Sequence, residues 1–309
     1  MTQVAVVGAG LIGRAWTIVF ARAGFDVALW DPFPAAVDAA LTFVRERLPE
    51  LAEAGLLPEA PDTVLARVHP AGSLGEAVSG AEHVQENGPE RLADKTTLWA
   101  ELDRAAPADA VLASSTSGIP ASQFTEVLPG RARCLVAHPV NPPYLVPLVE
   151  LCPAPWTDAA AVERTRDLMT RAGQAPVTVA KEVAGFALNR LQGALLAEAF
   201  RLVADGVISP ADLDATIKHG LGLRWSFMGP FETIDLNAPG GLGDYCARYG
   251  GLYAEMQRQM TPREWDAPLV ARLEAARRAE LPADLRGARG EWRDRRLMAL
   301  LAHKAKQPD

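Results

Sequence analysis

The sequence predicts an α/β protein: an N-terminal doubly wound, mostly parallel sheet followed by an all-α C-terminal domain. Three observations carry this. In VAVVGAGLIGRAW a β-branched run meets Gly8-x-Gly10-x-x-Gly13 and passes into a helical pattern. Through roughly the first 180 residues, short β-branched runs alternate with helical periods, the signature of βαβ units. After TVAKEV the texture changes to helices and turns, and no strand pattern returns. The boundary is expected near 182, dividing a sheet domain, 1–182, from a helical domain, 183–309.

Taken in order, residues 3–7 (QVAVV) are a strand, and 11–23 a helix with Leu11, Ala15, Ile18, Val19 and Ala23 on one face. Residues 26–30 (DVALW) are the second strand, and a helical stretch follows to about 54. Later strands are expected near 65–68, 82–85, 110–114, 133–137, 146–151 and 175–180, with helices at 89–105 and 158–172. Residues 184–205 form one long helical pattern. In SPADLDATIKHG, Ser209 is the N-cap, Pro210 takes the first helical position and Gly220 falls past the end. Residues 286–306 carry seven Lys/Arg against two acids and are expected to form a solvated or subunit-facing terminal helix.

Composition excludes several classes. A net charge of −7 and a pI of about 5.4 leave no basic face for nucleic acid. No apolar run approaches the roughly 18–20 residues of a membrane span. Cys134, Cys152 and Cys246 are odd in number and lack C-x-x-C spacing, so neither a disulfide framework nor a metal site is expected. The chain runs from Met1-Thr2 straight into QVAVVGAG, with no room for a signal peptide, and a cytoplasmic setting is expected.

The glycine motif gains weight from its context. It follows a strand, opens a helix, and is followed by a second strand ending in Asp31. Gly8 permits the tight turn, Gly10 the approach of a pyrophosphate, and Gly13 close packing of helix on strand. The helix N-terminus, with Leu11 and Ile12, offers free N–H groups to the anion. Asp31 accepts hydrogen bonds from an adenosine ribose. Pro32, Phe33 and Pro34 follow it, with no arginine to meet a 2′-phosphate. The sequence therefore predicts a Rossmann-type fold with NAD as cofactor, although the motif itself also accommodates FAD.

Ligands of such a sheet bind at the carboxyl ends of its strands. VLASSTSGIP (111–120) ends there in Ser115, Thr116 and Ser117; alone, this cluster reads first as a hydroxyl-rich turn capping the next helix. His138 follows the strand CLVA at the same edge, and the strand–turn–strand excursion VAHPVNPPYLVPLVE returns Glu150 toward it. A carboxylate beside an imidazole orients the ring, fixes its tautomer and stabilises imidazolium. A base needs this to take an alcohol proton while hydride leaves the same carbon. The Asn-Pro-Pro bend at 141–143 stiffens the excursion, with Asn141 set at the cofactor. On the long helix, Gly185, Asn189 and Gly193 share a face at i, i+4 and i+8. That stripe suits a ligand approaching one amide, or close helix packing.

In this order and spacing, SSTS, AHPVNPP, LVE and GFALNR resemble the NAD-dependent 3-hydroxyacyl-CoA dehydrogenase superfamily. The resemblance implies that Ser117 binds the substrate hydroxyl, His138 is the base, Glu150 orients it, and Asn189 contacts substrate and histidine. It also implies that Glu90 and Lys95, after HVQENG, line the nicotinamide side. Segments 220–250 and 291–306 resemble the lambda-crystallin branch, whose members are L-gulonate 3-dehydrogenases. That implies a small 3-hydroxy acid as substrate, L-gulonate first, and a homodimer formed through the C-terminal helical domain.

Acyl-CoA members carry a Lys-rich helical hairpin between the second and third strands. Here residues 41–60 hold two arginines, four glutamates and no lysine, which also favours a small substrate. Arg224, in GLRWSF, is the candidate carboxylate anchor; the alternative is a structural arginine paired with an acid. An L-3-hydroxyacyl-CoA is the second substrate and carnitine the third. Carnitine dehydrogenases carry a similar Gly-Leu-Arg-Trp stretch, and Trp225, Phe227 and Phe231 offer rings for a trimethylammonium cage, or for a core. A crystallin-like structural or NAD-binding protein without turnover is the alternative of a different class. The presence of every catalytic residue type opposes it.

Overall fold

A computed structural model describes residues 3–307. Eight strands form one sheet: β1 (Gln3–Val7), β2 (Asp26–Trp30), β3 (Val68–Pro70), β4 (His83–Glu86), β5 (Val111–Ser114), β6 (Cys134–Pro139), β7 (Leu148–Pro153) and β8 (Ala175–Thr178). Their order is β3-β2-β1-β4-β5-β6-β7-β8. Neighbours run parallel except β6 and β7, which are antiparallel. The connection from β6 to β7, residues 140–147, is too short for a crossover helix, so the chain must turn back on itself.

Side chains alternate between two layers, as the period of 2 requires. Val4, Val6, Val111, Ala113, Leu135, Ala137, Val149 and Leu151 join one core, under helices Leu11–Arg22, Pro34–Glu53 and Ala159–Arg171. Ala5, Val7, Leu112, Cys134, Val136 and Cys152 join the other, under helix Leu92–Ala105.

Three expectations need correction. The long helix begins at Leu188, because Gly185 (φ +76°) and Phe186 (φ +50°) turn through the left-handed region just before it. Gly185 therefore does not share a helical face with Asn189 and Gly193. Gly220 does not end a helix: the path runs from Pro210–Thr216 through a π-turn at Ile217–Leu221 into Gly222–Trp225. The terminal helix Arg286–Lys304 is not merely solvated or subunit-facing. Its Met298 is 3% exposed within the sheet's core, beside Leu297 and Leu301. Packing divides the chain accordingly. One unit runs to Arg190 and resumes at Gly290, and the other is Leu191–Arg289. Among the described residues, no helix is long and apolar enough to cross a membrane.

His83, on β4, is buried, with Nε2 3.0 Å from Gln85 Oε1. Burial lowers its pKa from 6.5 to about 4, partly offset by the bond to Gln85. The folded state thus keeps the ring neutral where the unfolded chain already protonates it. Stability from this group is present above pH 6.5 and is lost as pH falls toward 4, on the order of 3 kcal/mol across that window. Thermal unfolding from pH 7 to 4 should therefore show a shallower loss of Tm in His83→Gln than in the native chain. Equal slopes would refute this assignment.

Candidate active site

The glycine turn is built as its spacing requires. Gly8 has φ +93°, and a Cβ there would lie 2.8 Å from the Asn87 carbonyl oxygen. A Cβ on Gly13 would lie 1.7 Å from the Gly8 oxygen, so not even alanine fits. Gly10, by contrast, faces open space. It begins helix Leu11–Arg22 without a side-chain cap, and Leu11 is exposed, which leaves the first-turn N–H groups to an anion.

Asp31 accepts Ala9 N–H on Oδ2 (2.8 Å) and Phe33 N–H on Oδ1 (2.9 Å). Each oxygen keeps a lone pair for a ribose hydroxyl. Pro32 and Pro34 have no N–H and that of Phe33 is spent, so this segment offers a 2′-phosphate no donor. These residues fit NAD.

His138 and Glu150 face each other directly across the antiparallel β6–β7 pair. On an antiparallel ladder opposite residues share a face, and Nδ1 of His138 lies 2.8 Å from Oε2 of Glu150. Both side chains are buried. The other carboxylate oxygen, Oε1, accepts the N–H groups of Ala187 (2.9 Å) and Leu188 (2.8 Å). Glu150 therefore caps the N-terminus of helix Leu188–Ala204, where the helix dipole favours negative charge. With Nδ1–H directed at Glu150, Nε2 carries the lone pair. Phe186 packs on the imidazole at 5.5 Å between centroids, and its positive φ is the strained turn that brings 187 and 188 to Glu150.

The loop after β5 is tied from below. Glu90 Oε1 accepts Thr116 Oγ1–H (2.5 Å), Ser117 N–H (3.0 Å), Ser117 Oγ–H (3.3 Å) and Gly118 N–H (3.2 Å). Ser115 points inward, accepting from Trp16 and Gln85 and donating to Asn87. Of the three hydroxyl residues only Ser117 is exposed. Asn189 Nδ2 donates to the Ser117 carbonyl at 2.7 Å, so its recorded contact is with the Ser117 loop rather than with His138. Asn141 is exposed at the start of the bend. Arg224, in the second unit, is exposed and forms no ion pair among the described residues.

Residues 3–183 match the model for the NAD binding domain of 3-hydroxyacyl-CoA dehydrogenase, and 185–280 match that for its C-terminal domain. The chain belongs to the 3-hydroxyacyl-CoA dehydrogenase family. It is an NAD-dependent oxidoreductase of that family. A lambda-crystallin homolog of Bos taurus is 46% identical over 99% of this chain and 96% of its own length. An L-carnitine dehydrogenase of Streptomyces griseus is 39% identical over 92% of this chain and 85% of its own. Among solved structures, an NAD+-dependent dehydrogenase of a formyl-hydroxy-methylpyridine carboxylic acid superposes with TM-score 0.86 at 29% identity, covering 100% of both chains.

Within this family member, sequence reasoning missed Glu86. It ends β4 fully buried and accepts from Lys95 Nζ on both oxygens (3.0 Å each), Trp99 Nε1 (3.1 Å), Ser114 Oγ (2.6 Å) and Gly88 N (2.6 Å). Lys95 is 1% exposed and enclosed by this carboxylate, with Glu90 Oε2 4.0 Å away. The available signal was an acid at the carboxyl end of a strand, nine residues before a lysine. The backbone N–H pair of 187 and 188 was also missed, because only the turn at Gly185-Phe186 directs it.

Proposed function

We propose that the enzyme oxidises the 3-hydroxyl of a small 3-hydroxy acid, L-gulonate first, with His138 as the base. The His138–Glu150 pair at 2.8 Å, at the carboxyl edge of an NAD-binding sheet, carries this reading. Bound NAD+ supplies the hydride acceptor. His138 Nε2 takes the hydroxyl proton, and Glu150 stabilises the resulting imidazolium through Nδ1–H. The exposed Ser117 hydroxyl holds the substrate oxygen, on a loop fixed by Glu90 and Asn189.

Substrate size is argued from residues 41–60. Of the two arginines there, Arg47 is nearly buried and spent on Glu50 and on Glu291, 3.1 Å away. Little positive charge remains for a CoA phosphate. A guanidinium such as that of Arg224 can hold a free carboxylate by two parallel bonds. Carnitine is the second reading, supported by the Streptomyces relative and by the exposure of Trp225, Phe227 and Phe231.

The test is NADH formation from NAD+ with L-gulonate, L-3-hydroxybutyryl-CoA and L-carnitine in parallel. The expected order of kcat/KM has L-gulonate highest, and Arg224→Gln should raise its KM about 10–100-fold through loss of a charge-assisted pair. Preference for the CoA ester would contradict the small-substrate reading.

A further inference from the structure

We infer that Tyr144 and Asp294 form a latch through which the C-terminal helix sets the catalytic hairpin against the helix that holds the cofactor. This rests on His138 being the base. Tyr144 lies in the connection 140–147 between the strands of His138 and Glu150. Its ring is 1% exposed, and its hydroxyl donates to Asp294 Oδ2 at 3.3 Å. Burial, and then the Asp294 charge, push the phenol pKa up, so it remains a donor. Asp294 is itself buried, and its Oδ1 is held by Arg293 Nε (2.8 Å) and Nη2 (2.6 Å).

Two further contacts fix the same residue. The Tyr144 ring meets Phe43 edge-on at 6.2 Å, and Phe43 carries the Arg14 guanidinium 4.0 Å from its centre. The Tyr144 carbonyl accepts Arg22 Nη1 at 2.8 Å. Arg22 is the last residue of helix Leu11–Arg22, whose other end is the pyrophosphate site. One residue thus joins the hairpin to the cofactor helix, to helix Pro34–Glu53 and to the C-terminal helix. The motif EWRDRRLM finds its use here: Glu291 pairs with Arg47, Arg293 steadies Asp294, Asp294 receives Tyr144, and Met298 enters the core.

Hydride transfer depends on the separation of the reacting carbons, and a displacement of about 1 Å costs on the order of 10²-fold in rate. The β6–β7 ladder preserves the His138–Glu150 pair by itself. The latch instead sets how far that pair stands from the nicotinamide. Its loss is therefore read in kcat rather than in cofactor affinity.

The test compares Tyr144→Phe, Asp294→Ala, their combination, Asp294→Asn and Met298→Ala in the full chain. For each, kcat, KM, the NADH dissociation constant by fluorescence, and Tm are measured. Tyr144→Phe and Asp294→Ala should each lower kcat about 5–50-fold, with KM and NADH affinity within about twofold of the native chain. The combination should lose little more than either alone, since both remove one bond. Asp294→Asn, which keeps an acceptor, should recover most of the rate. Met298→Ala should lower Tm while holding kcat at temperatures well below melting. Native kcat in Tyr144→Phe, or an equal loss of kcat in Met298→Ala, would overturn the latch. Neither result touches the assignment of His138, which is read separately from its own variant.

Discussion

His138→Ala is expected to lower kcat by about 10²–10⁴-fold while the NADH dissociation constant stays within about twofold. The imidazole lies at the end of β6, apart from the glycine turn and Asp31, so its removal leaves the cofactor's anchors intact. Glu150→Gln should lose less, about 10–100-fold, because an amide oxygen still accepts from one side but no longer stabilises imidazolium. It should also lower Tm, since Glu150 holds the N–H groups of Ala187 and Leu188 as well as the ring. Stopped-flow NADH formation and fluorescence titration separate the two effects. A His138→Ala rate within tenfold of the native enzyme would remove His138 from the mechanism.

The second large effect concerns stability. Lys95→Met should cost about 3–5 kcal/mol, the range found when one partner of a buried ion pair is removed. Glu86 would then keep its contacts with Trp99, Ser114 and Gly88 but face no opposing charge. Because Glu86 sits one strand from β1, strain there is expected to reach the turn at Gly8 through Asn87 and to weaken NADH binding. The combined variant Glu86→Gln/Lys95→Met should cost less than the sum of its parts, since it removes both charges. Urea unfolding measures this. A Lys95→Met chain within 1 kcal/mol of the native one would show that the pair contributes little net stability.

The parts of the site that depend on local spacing were legible in the sequence. The glycine turn, Asp31 and the His138–Glu150 pair each follow from a strand, a short connection and a period of 2. Glu86 was not legible, nor was its pairing with Lys95, which the resemblance had set on the nicotinamide side, because their burial depends on β4 lying between β1 and β5, a property of strand order rather than of sequence neighbours. Phe186 gave no sign of a positive φ, since a bulky side chain disfavours it; the glycine before it was the only hint. In the terminal helix, seven basic residues outweighed the stripe of Leu297, Met298 and Leu301, although the exposed face carries the charge and the stripe makes the contact. Gly185 was misplaced on a helical face because periodicity continues through a turn that the backbone breaks.

The most direct measurement is the mass of the NADH formed from NAD+ and L-gulonate carrying deuterium at C3 only. Hydride leaving C3 as His138 takes the 3-hydroxyl proton predicts NADH that carries one deuterium in place of a protium, with the rate lowered about 10²–10⁴-fold in His138→Ala. Unlabelled NADH would mean that the hydride leaves another carbon, and would contradict oxidation at the 3-hydroxyl.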